Sequence, residues 1–159
     1  MPATYDSIAS TTATGSQNTI TFSGISGSYT DIVLAVSSKL TSPGSATFLT
    51  FNSDSGTNYS NTRILGDGSS ATSQRRTNNN YIVIDAPNGE WSTLLFNVMN
   101  YSNTTTNKTC LIRAGSTTYT TAVVGLWRNT AAITSITLTT DGGNFASGSI
   151  LTLYGIKAA

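Results

Sequence analysis

Trp91-Ser92-Thr93-Leu94-Leu95-Phe96-Asn97-Val98-Met99-Asn100-Tyr101 decides the fold. Side chains alternate across a pleated strand with a period of two. Leu94, Phe96 and Val98 therefore share one face, while Leu95, Asn97, Met99 and Tyr101 share the other. A wholly apolar face opposite a mixed one marks a strand lying on a core. The same pattern extends outward in both directions. In residues 18–22, Ile20 and Phe22 oppose Thr19 and Thr21; in residues 31–40, Ile32, Leu34 and Val36 face one way, with Val33 and Ala35 partly covered opposite. Further strands are expected at residues 46–52, 59–65, 81–85, 108–114, 119–128, 132–140 and 149–157, giving about ten. Turn formers punctuate them: Ser42-Pro43-Gly44, Asp54-Ser55-Gly56, Asp67-Gly68, Asn88-Gly89 and Asp141-Gly142-Gly143. No helical period survives beyond two turns. The expected fold is an all-β antiparallel sandwich of jelly-roll type, one domain over residues 1–159, without significant helix. Its expected core includes Ile20, Phe22, Leu34, Phe96, Val98, Ile136, Leu138 and Leu153.

Two segments stand apart. Residues 1–15 form either a first strand, over 4–10, or an arm reaching a neighbour. Residues 66–80 are polar throughout and are expected to be a long loop. Tyr5 and Ile8 from the first segment, with Arg75, Arg76, Asn78, Asn79 and Asn80 from the second, are the candidate interface residues.

Composition narrows the function. The chain holds 22 Ser, 29 Thr and 14 Asn, 65 of its 159 residues, while only 9% are charged. Such short polar side chains bond nearby backbone and disfavour helix interiors, and Thr also suits strands. A net charge of +1 with no basic cluster offers no footprint for nucleic acid or an anionic membrane. No apolar run approaches the ~20 residues of a membrane-spanning helix. The first eight residues lack the basic start and apolar stretch of a secretory signal, which predicts synthesis in a cytoplasm without export.

Catalytic groups are sparse. There is no histidine, which removes the commonest general base, the Ser-His-Asp arrangement and the commonest zinc ligand. Cys110 sits in an alternating segment and is expected to be a buried thiol. Seven carboxylates are scattered, and Asp85 with Glu90 is a pair left open for paired-carboxylate chemistry. No phosphate-binding glycine loop is present, so no enzyme activity and no cofactor are expected. Asn52, Asp54 and Asn58 space oxygen side chains around Gly56 as calcium loops do, but without the usual carboxylate density; Asx-turn chemistry explains the same pattern. Tyr59, Trp91 and Tyr101 are candidates for stacking on sugar rings, with core packing as their alternative fate.

Residues 125–138 (G-L-W-R-N-T-A-A-I-T-S-I-T-L) and 143–156 (G-N-F-A-S-G-S-I-L-T-L-Y-G-I) resemble small β-sandwich virion proteins of tailed bacteriophages. Residues 5–9 (Y-D-S-I-A), 28–34 (S-Y-T-D-I-V-L) and 51–60 (F-N-S-D-S-G-T-N-Y-S) agree, so the likeness spans most of the chain. It implies a capsid cement or decoration protein on the head surface. Such a protein would bind the major capsid protein non-covalently and associate with its own copies as a homotrimer. The alternative is a tail-fibre tip that recognises host surface glycans. The resemblance also favours a strand within its own subunit for residues 5–9. Phe145, Leu153 and Tyr154 read as packing residues, and Gly143, Gly148 and Gly155 as turns or close approaches.

Overall fold

A computed structural model describes residues 4–84 and 89–157. It contains β1 (Tyr5–Thr12), β2 (Thr19–Ser23), β3 (Asp31–Ser38), β4 (Thr47–Phe51), β5 (Tyr59–Gly66), β6 (Ala71–Asn79), β7 (Ile82–Ile84), β8 (Ser92–Met99), β9 (Lys108–Gly115), β10 (Thr120–Trp127), β11 (Ser135–Thr140) and β12 (Ile150–Ile156), with no helix among the described residues. Eight strands form one sheet in the order β1-β12-β3-β8-β9-β10-β5-β6, and four form the other in the order β2-β11-β4-β7. Every pairing within them is antiparallel. The quartets β1-β12-β3-β8 and β2-β11-β4-β7 are interleaved in sequence: the chain crosses between sheets from β1 to β2, β2 to β3, β3 to β4, β4 to β5, β6 to β7, β7 to β8, β10 to β11 and β11 to β12. That winding is a jelly roll. The hairpins β5–β6 and β9–β10 widen its larger sheet.

Twelve strands exceed the ten expected, and the two additions are instructive. β1 pairs along β12, with Tyr5 opposite Ile156 and Thr12 opposite Ile150, and a bulge between Ser7 and Ala9. It is a strand of its own subunit rather than an arm. β6 corrects the loop expected at 66–80. Only its first residues turn, with Asp67 accepting bonds from the Ser69 and Ser70 amides at 2.9 and 2.6 Å. The remainder pairs with β5 through Leu65↔Thr72, Arg63↔Gln74 and Asn61↔Arg76. β6 is exposed along most of its length, so no face was buried to impose an apolar alternation.

The core lies between the sheets and contains all eight residues expected there. Its aromatic end joins Phe51, Tyr59 and Trp127, with Tyr59 stacked on Trp127 at 6.3 Å and Phe51 5.6 Å from Trp127. Burying each such side chain contributes about 1.5–3 kcal/mol. Gly125 allows β7 to close onto β10, since a Cβ there would lie 2.6 Å from Ile82 Cδ1.

Candidate functional site

The loop after β4 is a structural clasp. Asn52 and Ser53 both take left-handed backbone conformations, at φ 52° and 55°, and aim the chain back across the end of the sandwich. The Asn52 side chain turns away from the loop: its oxygen accepts from the Thr134 and Ser135 amides, and its nitrogen donates to the Ala132 carbonyl at 2.7 Å. Asp54 accepts three donors: Trp127 Nε1 at 2.7 Å, Gly56 N at 2.8 Å and Asn58 Nδ2 at 2.9 Å. Burial alone would raise its pKa, but these bonds outweigh that and hold the carboxyl below its ordinary value. A calcium ion needs oxygens converging on a point. Here N–H donors converge on the carboxylate instead, so the calcium expectation for Asn52, Asp54 and Asn58 is replaced by an Asx clasp on a buried tryptophan. Among the described residues no three His, Cys, Asp or Glu side chains gather as a metal set.

Two of the three aromatic candidates are also corrected. Tyr59 and Tyr101 are fully buried. The Tyr59 hydroxyl accepts from the Phe51 amide at 3.0 Å and donates to the Phe51 and Asp54 carbonyls, and burial pushes its pKa up to about 12. The Tyr101 hydroxyl donates to the Ser26 carbonyl and accepts from the Tyr29 amide. Neither ring is available to a ligand. Trp91 is half exposed, above a hollow of about 260 Å³ lined by Ser37, Thr93, Ser116 and Thr117. Beside it, Thr117 donates its hydroxyl to Glu90. Asp85, the proposed partner of Glu90, lies outside the described residues. The other described carboxylates are tied into the structure: Asp6 to Lys157 at 2.5 Å, Asp31 to the Asn100 amide at 2.7 Å, and Asp141 to the Ala46 amide at 2.6 Å. Cys110 is buried and its pKa is raised by that burial. The remaining surprise is Lys108, only 1% exposed, whose ammonium donates to the Thr106 and Thr130 carbonyls.

The most unusual surface is the outer face of the larger sheet. On four neighbouring strands, Met99 of β8, Leu111 of β9, Val124 of β10 and Ile64 of β5 are 45%, 41%, 53% and 61% exposed. Ala122 and Ile156 add to a trough of about 550 Å³ whose charged lining residues are Asp31 and Arg113. The smaller sheet's outer face is different in kind. There Thr21 bonds Thr137 at 3.0 Å and Thr19 bonds Thr139, leaving a hydroxylated surface. Sequence reading missed the apolar face, yet the signal was present. Ala122-Val123-Val124, Leu111-Ile112, Leu94-Leu95 and Ile64-Leu65 are apolar at both parities, and a strand apolar on both sides expects cover on both sides.

Against known proteins, no family model and no curated protein matches this chain. Among solved structures it is similar to an exo-inulinase from Aspergillus awamori, with a TM-score of 0.54 at 15% identity. The fold alone is shared. The match covers 96% of this chain and 29% of that one, so this domain corresponds to less than a third of the other protein.

The remaining interface candidates separate. Arg75, Arg76, Asn78 and Asn79 lie on edge strand β6, where Arg76 bonds Gln74 at 3.0 Å and Asn78 accepts from Arg128 at 3.1 Å. Asn78 sits at φ 56° where the β5–β6 register shifts. Asn80 borders a hollow on the smaller sheet beside the stacked pair Phe48 and Tyr81, whose rings are 4.0 Å apart. Tyr5 stands exposed at the other edge of the large sheet, edge-on to Tyr154, while Ile8 packs against the core.

Proposed function

We propose that this chain is a non-catalytic structural subunit of a tailed-bacteriophage particle, a capsid cement that strengthens the shell through non-covalent contacts between neighbouring subunits. The observation that carries the reading is the uncovered apolar outer face of the eight-stranded sheet, from Ile64 to Met99. Contiguous exposed apolar surface of this kind marks an interaction site. Contacts made only in the assembled particle stabilise it by mass action. The choice of particle rests on the resemblance of residues 125–138 and 143–156 to phage virion proteins. Edge strand β6, with Arg75 and Arg76, offers the surface for the shell protein, because its outer edge presents backbone groups and its side chains are polar. Immunogold labelling of purified particles tests the proposal. Label over the head surface is the expected result, and particles without the protein would refute it.

Trp91 supports a second reading, glycan recognition at a tail tip. Its half-exposed indole above a hydroxyl-lined hollow suits the apolar face and hydroxyl rim of a sugar. Label at the tail, with saturable binding to a glycan array abolished by Trp91→Ala, would favour it over the cement role.

A further inference from the structure

We infer that two copies of this chain pair face to face about a twofold axis through the outer face of the eight-stranded sheet; this rests on the assembly reading above and names the partner. Three observations select a second copy as the occupant.

The first is extent. The outward face that carries the apolar strip spans the six strands β12-β3-β8-β9-β10-β5, most of them 8 residues long, with polar side chains such as Asn97 and Thr109 among the apolar ones. At about 4.8 Å between strands and about 3.3 Å per residue, that face covers roughly 700 Å². A stable standard-size complex buries about 800 Å² on each partner. The second is composition. The neighbouring exposed side chains Met99, Leu111, Val124 and Ile64 form one strip, whereas the smaller sheet presents threonines beside the single stacked pair Phe48 and Tyr81. Closing the larger face removes the apolar surface and leaves the hydroxylated one in water.

The third is the placement of charge. Asp31 and Arg113 line the same trough and have opposite signs. Across the sheet, Asp31 lies opposite Met99, Val33 opposite Asn97, Asn97 opposite Leu111 and Leu95 opposite Arg113. Taking Asn97 as origin, Arg113 is one strand away and two residues along. Asp31 is one strand away in the other direction and two residues along in the opposite sense. The two are therefore related through Asn97, each about 8 Å from it. A twofold axis lying in the interface at Asn97, perpendicular to the Asp31–Arg113 line, lays Arg113 of each copy over Asp31 of the other. Self-complementarity of this kind closes a pair and goes no further. A lipid surface would make no use of the paired opposite charges.

Sedimentation velocity on the purified full chain, from low micromolar to several hundred micromolar, tests the inference. A concentration-dependent dimer is expected. Val124→Arg should abolish it while the circular dichroism spectrum stays unchanged, since residue 124 points outward. Arg113→Asp and Asp31→Arg should each weaken association by tenfold or more, and the charge-exchanged double variant should bind more tightly than either single one. A monomer at every concentration, a trimer, or a dimer indifferent to Val124→Arg overturns the pairing. A monomer that still labels the head surface removes the dimer and leaves the cement role; a dimer absent from particles does the reverse.

Discussion

Removing the Asp54 carboxylate should cost more stability than its surface position suggests. Asp54→Ala deletes three charge-assisted bonds, but their loss is unequal. Gly56 N and Asn58 Nδ2 lie in a loop open to water and can be rehydrated, at about 0.5–1 kcal/mol each. Trp127 Nε1 cannot, because its residue is 1% exposed. Leaving a buried donor unsatisfied costs about 1–3 kcal/mol. Together the loss should be about 3 kcal/mol, which in a domain this size lowers Tm by roughly 6–12 °C. Asp54→Asn retains an acceptor oxygen and should lose about half as much. Because the folded-state pKa of Asp54 is depressed, its contribution is present above the ordinary carboxylate value near 3.8 and fades as pH falls through the folded one. The wild type should therefore lose part of its advantage over Asp54→Asn below pH ~4. Thermal unfolding by circular dichroism, with calcium and with chelator, is the assay. An Asp54→Ala loss under about 1 kcal/mol, or a wild-type Tm that rises with calcium, would refute the clasp.

Three further outcomes are expected. Gly125→Ala should cost about 1–3 kcal/mol through the clash with Ile82 Cδ1, and Ile82→Val should cost less in that background than alone; additive losses in denaturant melts would place the clash elsewhere. Deleting residues 4–12 strips the cover from β12 and should give insoluble or unfolded chain, whereas a soluble product with unchanged Tm would mean β1 is dispensable. At alkaline pH, burial raises the folded-state pKa of Cys110 and Tyr59, the latter to about 12. Their contribution is complete below the unfolded values near 9 and 10 and is lost as pH climbs through the folded ones; titration of phenolate absorbance should find Tyr59 ionising only with unfolding.

What could be read from residues alone followed what was buried on one side. β2, β8 and β11 announce themselves because Ile20, Phe22, Phe96, Val98, Ile136 and Leu138 alternate with side chains facing out. β6 gave no such sign, since hydrogen bonds to β5 hold it while neither face packs. Tyr59, Trp91 and Tyr101 are all amphipathic rings. The two tyrosines go inside with their hydroxyls bonded to the Phe51 and Ser26 carbonyls, which only the fold brings near, while Trp91 stays half exposed. The Asn52–Asn58 spacing was informative about a turn but silent about direction. An ionised carboxylate only accepts, so Asn58 turns its Nδ2 to Asp54, and the further donor comes from Trp127 of β10, which only the fold brings near.

The place of β12 has a kinetic consequence. It lies between β1 and β3, so strands from the opening of the chain wait for the last of the twelve before either gains that partner. During synthesis the edges of β1 and β3 that will meet β12 hold unpaired backbone N–H and C=O groups, and closing them demands a loop of more than a hundred residues. Topologies with such distant pairings fold on the millisecond-to-second scale. A ribosome adding about 5–20 residues per second completes β3 several seconds before β12 emerges. Through that interval the half-sheet is exposed to any other unpaired strand, including those of identical nascent chains. Chaperone dependence should therefore persist until residues 150–156 emerge, and a stop codon placed just before Ile150 should yield an aggregation-prone product rather than a slightly smaller sandwich.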